Sequence, residues 1–357
     1  MDIITSFISK KASPISYATS WKAPSNIALV KYWGKYGEQL PKNPSLSFTL
    51  SNSSTNTNVV FTPHSKSIPD FDFYFHNVQK EDFKPKIAFF LERIYSYIPW
   101  IGNYHLSIKS ENSFPHSSGI ASSASSMAAL SLCLMDLEQQ LFPEMTSLYF
   151  HQKASFLARL GSGSASRSIQ GPVTLWGKNE IQNTSSDLYA IPFGESLHQV
   201  FKTYQDTILL IDKGTKQVSS TTGHNLMHAH PFAENRFLQA TNHLSSLHTI
   251  MKSGELDDFI HIVELEALSL HAMMMTSSPY FILMLPNTLA VIQKVWAYRE
   301  STSIPLCFSL DAGANIHLLY PKEYKDVILE FINRELAFFC ENGQYLKDEV
   351  GLGAKKM

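Results

Sequence analysis

Cysteine is scarce in this chain of 357 residues: Cys133, Cys307 and Cys340 are the whole set. The number is odd and no pair has CxxC spacing, which excludes a disulfide framework and a cysteine-based zinc site. Packed thiols in a reducing cytoplasm are the expectation. Charge is also lean, at 17% of residues, with 29 Lys+Arg against 31 Asp+Glu for a formal net charge of −2. Without a basic surplus, dedicated nucleic-acid binding is disfavoured, although a local cluster can still hold a small anion. No apolar run reaches the roughly 18–20 residues of a membrane span; the longest, such as YFILMLP at 280–286, reads as strand or buried segment. The opening MDIITSFISKK has no basic region leading into an apolar core, so no secretory signal is expected. Internal repeats and low-complexity tracts are absent.

Hydrophobic residues make up 44% of the chain, enough for a sizeable core. The length suggests about two domains, and the polar stretch GESLHQ places the boundary near 195–205, giving units of 1–200 and 201–357. The first twenty residues read as a loose arm or a first edge strand. From Trp21 to Leu50 the pattern is strand-like, broken by polar turns at 34–44, and FDFYF (71–75) and YHLSIKS (104–110) alternate as strands do.

Met127, Leu130, Leu134 and Leu137 mark one face of a helix, and a second helix over 147–160 should stop at Gly161. VTLW (173–176) and TILLID (207–212) read as strands. Phe237, Ala240, Leu244, Leu247 and Met251 form an amphipathic stripe ended by Ser253-Gly254. Further helices are expected from Asp257, over 287–298 and over 322–340, with strands LCFSL (306–310) and IHLLY (316–320) around the turn between them. Strands and helices mix without regular alternation, so the class is α+β.

Four segments carry chemistry. In PHSSGIASSASSMAAL (115–130), small residues crowd the start of a helix, where backbone N–H groups and the helix dipole favour an anion. The Ser122 and Ser123 hydroxyls can meet phosphate oxygens or a metal ion. A Ser-rich loop with an ordinary N-cap is the other reading of this segment taken alone. GSGSASRS (161–168) is either a donor-rich loop whose Arg167 clamps a carboxylate or phosphate, or a flexible loop with a surface arginine. In SNIALVKYWGK (25–35), strand geometry puts Lys31, Trp33 and Lys35 on one face, either facing an anion or solvated at an edge. In SLDAGANIHLLY (309–320), Asp311 follows an apolar stretch and is either a base or orienting group, or a turn-forming aspartate.

In combination these segments resemble the mevalonate diphosphate decarboxylase family of the GHMP kinase superfamily. KYWGK with LPKNPSLSFTLS is similar to that family's N-terminal signature, PHSSGIASSAS to its ATP loop, ARLGSGSASRS to its substrate loop, SLDAGAN to its catalytic aspartate segment, and DKGTKQVSSTTG (212–223) to a further phosphate-contacting stretch. The resemblance runs from about residue 21 to 320. It implies a two-domain GHMP kinase-like fold with the active site in the cleft between domains, a homodimer, and ATP with Mg²⁺ as cofactors. The implied reaction phosphorylates the 3-hydroxyl of mevalonate 5-diphosphate and then releases phosphate and carbon dioxide.

By the same resemblance Asp311, Lys31 and Arg167 are catalytic. Tyr32, Lys35, Ser162, Gly163, Ser164 and Ser220 bind substrate. Ser118, Gly119, Ala121, Ser122 and Ser123 bind ATP, with Ser122 also on the metal. The sequence departs from the family at GHNLMHAHPFAENRF (223–237), where His224, His228 and His230 stand, and at PHSSGI in the ATP loop. The first two histidines fall one helical turn apart, but no acidic or cysteine cluster accompanies them, so hydrogen-bonding or solvated histidines are expected rather than zinc ligands. Alternative readings are a phosphomevalonate decarboxylase, a mevalonate 3-kinase, or a non-catalytic ligand sensor on the same scaffold. The retained Asp311 argues against the last two.

Overall fold

The computed structural model describes residues 3–65, 69–115, 120–194, 196–214 and 220–357. Ser118 and Gly119 lie outside them; Ser220 is described by its backbone alone. Two sheets organise the chain. The long strands β1 (Tyr17–Val30) and β2 (Ser45–Pro63) pair antiparallel along most of their length, with irregularities at Pro24/Asn26 and Ala28/Val30. Beyond β2 lie β3 (Asp70–Phe75) and β4 (Tyr104–Asn112). β4 pairs β2 antiparallel and β3 parallel, with helix α1 (Lys84–Ile94) in the crossover between them.

Helix α2 (Ser122–Leu141) packs against β1 and β2 and is buried almost all round, because α3 (Ser147–Gly161) covers its other side. Its two buried carboxylates are both paired. Asp136 accepts from Thr19 and Tyr17 and meets Lys356, while Glu138 takes Lys153 at 2.6 Å and Trp100 Nε1 at 3.2 Å. Strands β5 (Val173–Trp176) and β6 (Ala190–Pro192) extend the sheet from the N-terminal end of β2.

The second sheet is built from β7 (Gln205–Leu209), β8 (Cys307–Leu310), β9 (Ile316–Tyr320) and β10 (Tyr345–Glu349), in the order β8-β9-β7-β10, all antiparallel. Side-chain alternation sends Phe308, Leu310, Ile316 and Leu318 to one core and Cys307 and Leu319 to another. Between β7 and β8 come α4 (Ser220–Leu226), α5 (Ala233–Ser253), α6 (Leu256–Met275) and α7 (Pro286–Thr302). The α5 stripe is buried as its spacing predicts, and Gly254 caps the helix at φ 88°. After β10, Lys355–Lys356 returns to pair β1 at Trp21 and Lys22.

The helix expected over 147–160 ends at Gly161 as expected, and a Cβ there would lie 2.7 Å from Met127 Sδ, so glycine also permits close packing of α3 on α2. Three expectations need correcting. The N-terminus is not a loose arm: a helical turn at Ile3–Ser6 leads to Phe7, which is 1% exposed and packs against Tyr149, Phe156 and Tyr189. The helix expected over 322–340 is broken into 3₁₀, α (Lys325–Phe331), π (Ile332–Leu336) and 3₁₀ pieces. The wider π turn keeps Ile332 and Leu336 inside with Ile328. Finally, β1 ends at Val30, so Lys31, Trp33 and Lys35 do not share a strand face. Gly34 at φ 105° turns the chain instead, and Trp33 enters a small core with Met227, Phe237, Leu270 and Met274.

Candidate active site

The ends of β1, α2, α3 and β8 converge on a cavity of about 640 Å³. Lys31, Tyr32 and Lys35 line it from the segment after β1; Ala121, Ser122 and Ser123 from the start of α2; Ser162, Gly163, Ser164 and Arg167 from the loop after α3; and Asp311 from the end of β8. Eleven expected site residues therefore meet in one place. The side chain of Ser220, on the first turn of α4, and the positions of Ser118 and Gly119 are outside the described residues.

Lys31 is 2% exposed, an unusual place for an amine. Its Nζ donates to Ser309 Oγ at 2.9 Å and to Asp311 Oδ1 at 3.2 Å. Burial lowers its pKa, and the attraction of Asp311 opposes that shift. The backbone is pinned as well: Lys31 N–H donates to Glu266 Oε2 at 2.8 Å, and Asn43 Nδ2 donates to Lys31 O at 3.0 Å. Glu266 is buried; burial alone would raise its pKa, but hydrogen bonds from His243 (2.5 Å), Arg236 and Lys31 N–H hold it low. On the other side, His271 Nε2 donates to the Asp311 carbonyl at 3.1 Å; burial pushes this imidazole down to about 4, so it is neutral.

Arg167 is 2% exposed. It donates to Ser45 Oγ at 2.6 Å and to Asn26 Oδ1 at 3.5 Å, and its guanidinium lies 5.7 Å from the Trp176 ring. Burial pulls its pKa down to about 10, which leaves it charged. Its Nε and the hydroxyl of Tyr32 are buried polar atoms without a hydrogen-bond partner among the described residues. Burial raises the Tyr32 pKa, so the hydroxyl keeps its proton and can donate. Tyr32 lies directly over Gly163, where a Cβ would come within 2.7 Å of its hydroxyl.

Lys31, Lys35, Lys86 and Arg167 face the cavity against Asp82 and Asp311, a positive balance in a chain of net charge −2. The 20-residue helix α2 brings its N-terminal end to the same space. Ala121 precedes it in the left-handed region (φ 43°), and Ser123 Oγ lies 3.3 Å from Ser162 Oγ. Phe73, Phe83, Ile108, Met127 and Leu130 add apolar lining to the same cavity. Cationic side chains, a helix N-terminus and apolar surface in one cavity suit anionic ligands, one of which carries a flat ring.

Comparison with known proteins agrees with this geometry. Residues 23–187 match the model of the diphosphomevalonate decarboxylase-like N-terminal domain, and 207–353 match that of the mevalonate 5-diphosphate decarboxylase C-terminal domain. A diphosphomevalonate decarboxylase of Gibberella zeae is 30% identical over 329 residues, 88% of this chain and 83% of that protein. The chain belongs to the diphosphomevalonate decarboxylase family. The mevalonate diphosphate decarboxylase of Staphylococcus aureus has the same fold, with a TM-score of 0.82 at 27% identity over 96% of this chain and 98% of that one. A structure described as MDDEF in complex with MVAPP, AMPPCP and magnesium superposes with a TM-score of 0.81, at 27% identity over 96% and 99%. A phosphomevalonate decarboxylase of Haloferax volcanii is also similar, at 26% identity over 87% of this chain and 90% of that protein.

Some residues that shape this decarboxylase-family site carried no signal in the sequence. Glu266 and His271 act through the backbone of Lys31 and Asp311 from distant elements, whereas Asn43, which holds Lys31 O, lies inside the LPKNPSLSFTLS segment already quoted. Ser309 likewise sits two residues before Asp311 on β8, inside a segment already singled out. Of the histidines, His224 and His230 are both hydrogen-bonded. Gly34 N–H donates to His224 Nδ1 at 3.0 Å, and His230 Nε2 meets Met273 O at 3.0 Å and Thr276 Oγ1 at 3.1 Å. His228 is exposed.

Proposed function

We propose that this chain uses ATP to phosphorylate the tertiary 3-hydroxyl of mevalonate 5-diphosphate and then releases phosphate and carbon dioxide, giving isopentenyl diphosphate. The observation that carries the reading is the pairing of buried Lys31 with half-buried Asp311, which opens onto the same cavity as Arg167 and the α2 N-terminus. Asp311 orients the 3-hydroxyl and accepts its proton. Lys31, 3.2 Å away, hydrogen-bonds that carboxylate and meets negative charge on the phosphoryl group in transfer. A tertiary alcohol leaves poorly and its phosphate ester leaves well. As the C–O bond breaks, phosphate takes the electron pair, and the bond to the carboxylate carbon supplies the electrons of the new double bond. Arg167 holds that carboxylate. Tyr32, Lys35, Ser162, Ser164 and Ser220 hold the 5-diphosphate, with Gly163 giving Tyr32 its room.

The residues present fit ATP. The small-residue start of α2 admits phosphates, and the Phe73–Phe83 wall admits a base. Ser118, Gly119, Ala121, Ser122 and Ser123 would hold the nucleotide, and Ser122 would hold the Mg²⁺ that travels with it. Mg²⁺ supplies charge neutralisation on the phosphates; positioning and electrostatics from the protein supply the rest. In this reading 1–200 provides the ATP loop and 201–357 provides Asp311. The buried, unpaired thiols of Cys133, Cys307 and Cys340 support a cytoplasmic setting.

The Haloferax volcanii relative favours a second reading, decarboxylation of the 5-monophosphate. Tyr32 and Lys35, two groups at the 5-end, favour the diphosphate. Steady-state rates with mevalonate, its 5-phosphate and its 5-diphosphate decide between them. The diphosphate is expected to give the highest kcat/KM, and equal or better turnover of the monophosphate would overturn the choice.

A further inference from the structure

His224 has no place in the reaction as described, yet it is held tightly inside the site. Its ring lies between Tyr32 (centroids 4.3 Å apart) and Trp33 (4.8 Å), and Tyr32 in turn lies 4.7 Å from Trp176, the ring that Arg167 covers. Trp33, His224, Tyr32, Trp176 and Arg167 thus form one continuous packed column, its rings tilted by 37–58° to one another. The column is reached by α4, whose Gly223 allows the approach: a Cβ there would lie 2.4 Å from the Trp33 ring.

The ring's orientation is fixed. Gly34 N–H donates to His224 Nδ1 at 3.0 Å, so Nδ1 carries the lone pair and the proton sits on Nε2. The imidazole lines the cavity with Tyr32, Lys35 and Arg167, and Nε2–H is the donor it has left to offer there. Burial, with Lys35 and Arg167 nearby, pushes its pKa down to about 3, so the ring stays neutral. A neutral donor adds a hydrogen bond without adding a third repelling cation to Lys35 and Arg167.

We infer that His224 is a substrate-binding residue whose Nε2–H donates to a phosphoryl oxygen at the 5-end of the substrate, beside the Tyr32 hydroxyl. This rests on the proposed function for the identity of the substrate. The tilted ring contacts and the Gly34 hydrogen bond set its direction, so His224 reads the anionic end and takes no part at the 3-hydroxyl.

The amide analogues separate the two ring nitrogens. His224→Asn supplies an acceptor for Gly34 N–H and lacks a donor at the Nε2 position, whereas His224→Gln supplies that donor. For His224→Asn the expected result is a rise of roughly ten-fold or more in KM for mevalonate 5-diphosphate, with kcat, KM for ATP and Tm close to wild type. His224→Gln should recover most of the loss. Unchanged KM in His224→Asn overturns the inference, as does an equal loss in both variants, which would make the ring a packing wedge. Calorimetric binding of inorganic pyrophosphate to the same three proteins needs no turnover. If wild type fails to process mevalonate 5-diphosphate, the functional reading falls, and the pyrophosphate affinities still decide the role of His224: weaker binding to His224→Asn alone supports it, and equal binding refutes it.

Discussion

Lys31 Nζ and Asp311 Oδ1 lie 3.2 Å apart although 280 positions of chain separate the two residues. One comes from the end of the first long strand of one sheet, the other from the end of a strand in the second sheet. Each places the other: the buried amine takes its counter-charge from the carboxylate, and the carboxylate is oriented by the amine. Asp311→Asn keeps the shape and the contact with Lys31. It is expected to lower kcat by roughly 10²–10⁴-fold while ATP binds as before. Single-turnover kinetics with nucleotide titration checks this; unchanged turnover would remove Asp311 from the mechanism.

Gly163 admits Tyr32 by lacking a side chain, since a Cβ would fall 2.7 Å from the hydroxyl and 2.9 Å from the ring. Gly163→Ala must displace Tyr32, and a shift near 1 Å costs on the order of 100-fold in kcat/KM. The stability of the variant should change far less than its activity. Thermal unfolding measured beside kinetics separates the two, and wild-type kinetics in the variant would contradict the contact.

Arg167 has its guanidinium 5.7 Å from the Trp176 ring, two contacts to Ser45 and Asn26, and an Nε without a partner among the described residues. A lysine keeps the charge and loses the fork. Arg167→Lys is expected to raise KM for the substrate by roughly 10–100-fold and leave KM for ATP within a few-fold. Equal damage to both constants would place Arg167 elsewhere in the reaction.

Two buried neutral imidazoles give the fold a pH signature. His271 is pushed down to about 4 and His224 to about 3, both from 6.5. Below pH 6.5 the unfolded chain takes up protons that the native state refuses, so the stability these sites supply is complete above 6.5 and is lost as pH falls toward 4. Each site contributes at most about 1.4 kcal/mol per pH unit. His271→Gln retains a donor for the Asp311 carbonyl and removes one titrating group. The urea midpoint of this variant should fall less steeply between pH 6.5 and 4.5 than that of wild type, and an identical slope would contradict the burial argument.

Much of this was legible in the sequence because it is local. The stripe Phe237–Met251 and the run Met127–Leu137 declare helices through spacing, and the four motif segments keep their chemistry within a dozen residues each. The rest is decided by neighbours. YLKDE at 345–349 has no strand alternation and becomes β10 because β7 offers it an edge. Lys31 leaves the strand because Gly34 turns the chain and Glu266 captures its N–H. His271 and Glu266 reach the site from distant sequence, so no local pattern marks them.

The most direct test of the whole account is the stoichiometry of one reaction. The purified protein, ATP, Mg²⁺ and mevalonate 5-diphosphate are incubated, and ADP and carbon dioxide are followed together. The account predicts their release in equal amounts. ADP without carbon dioxide, or neither product, would contradict it.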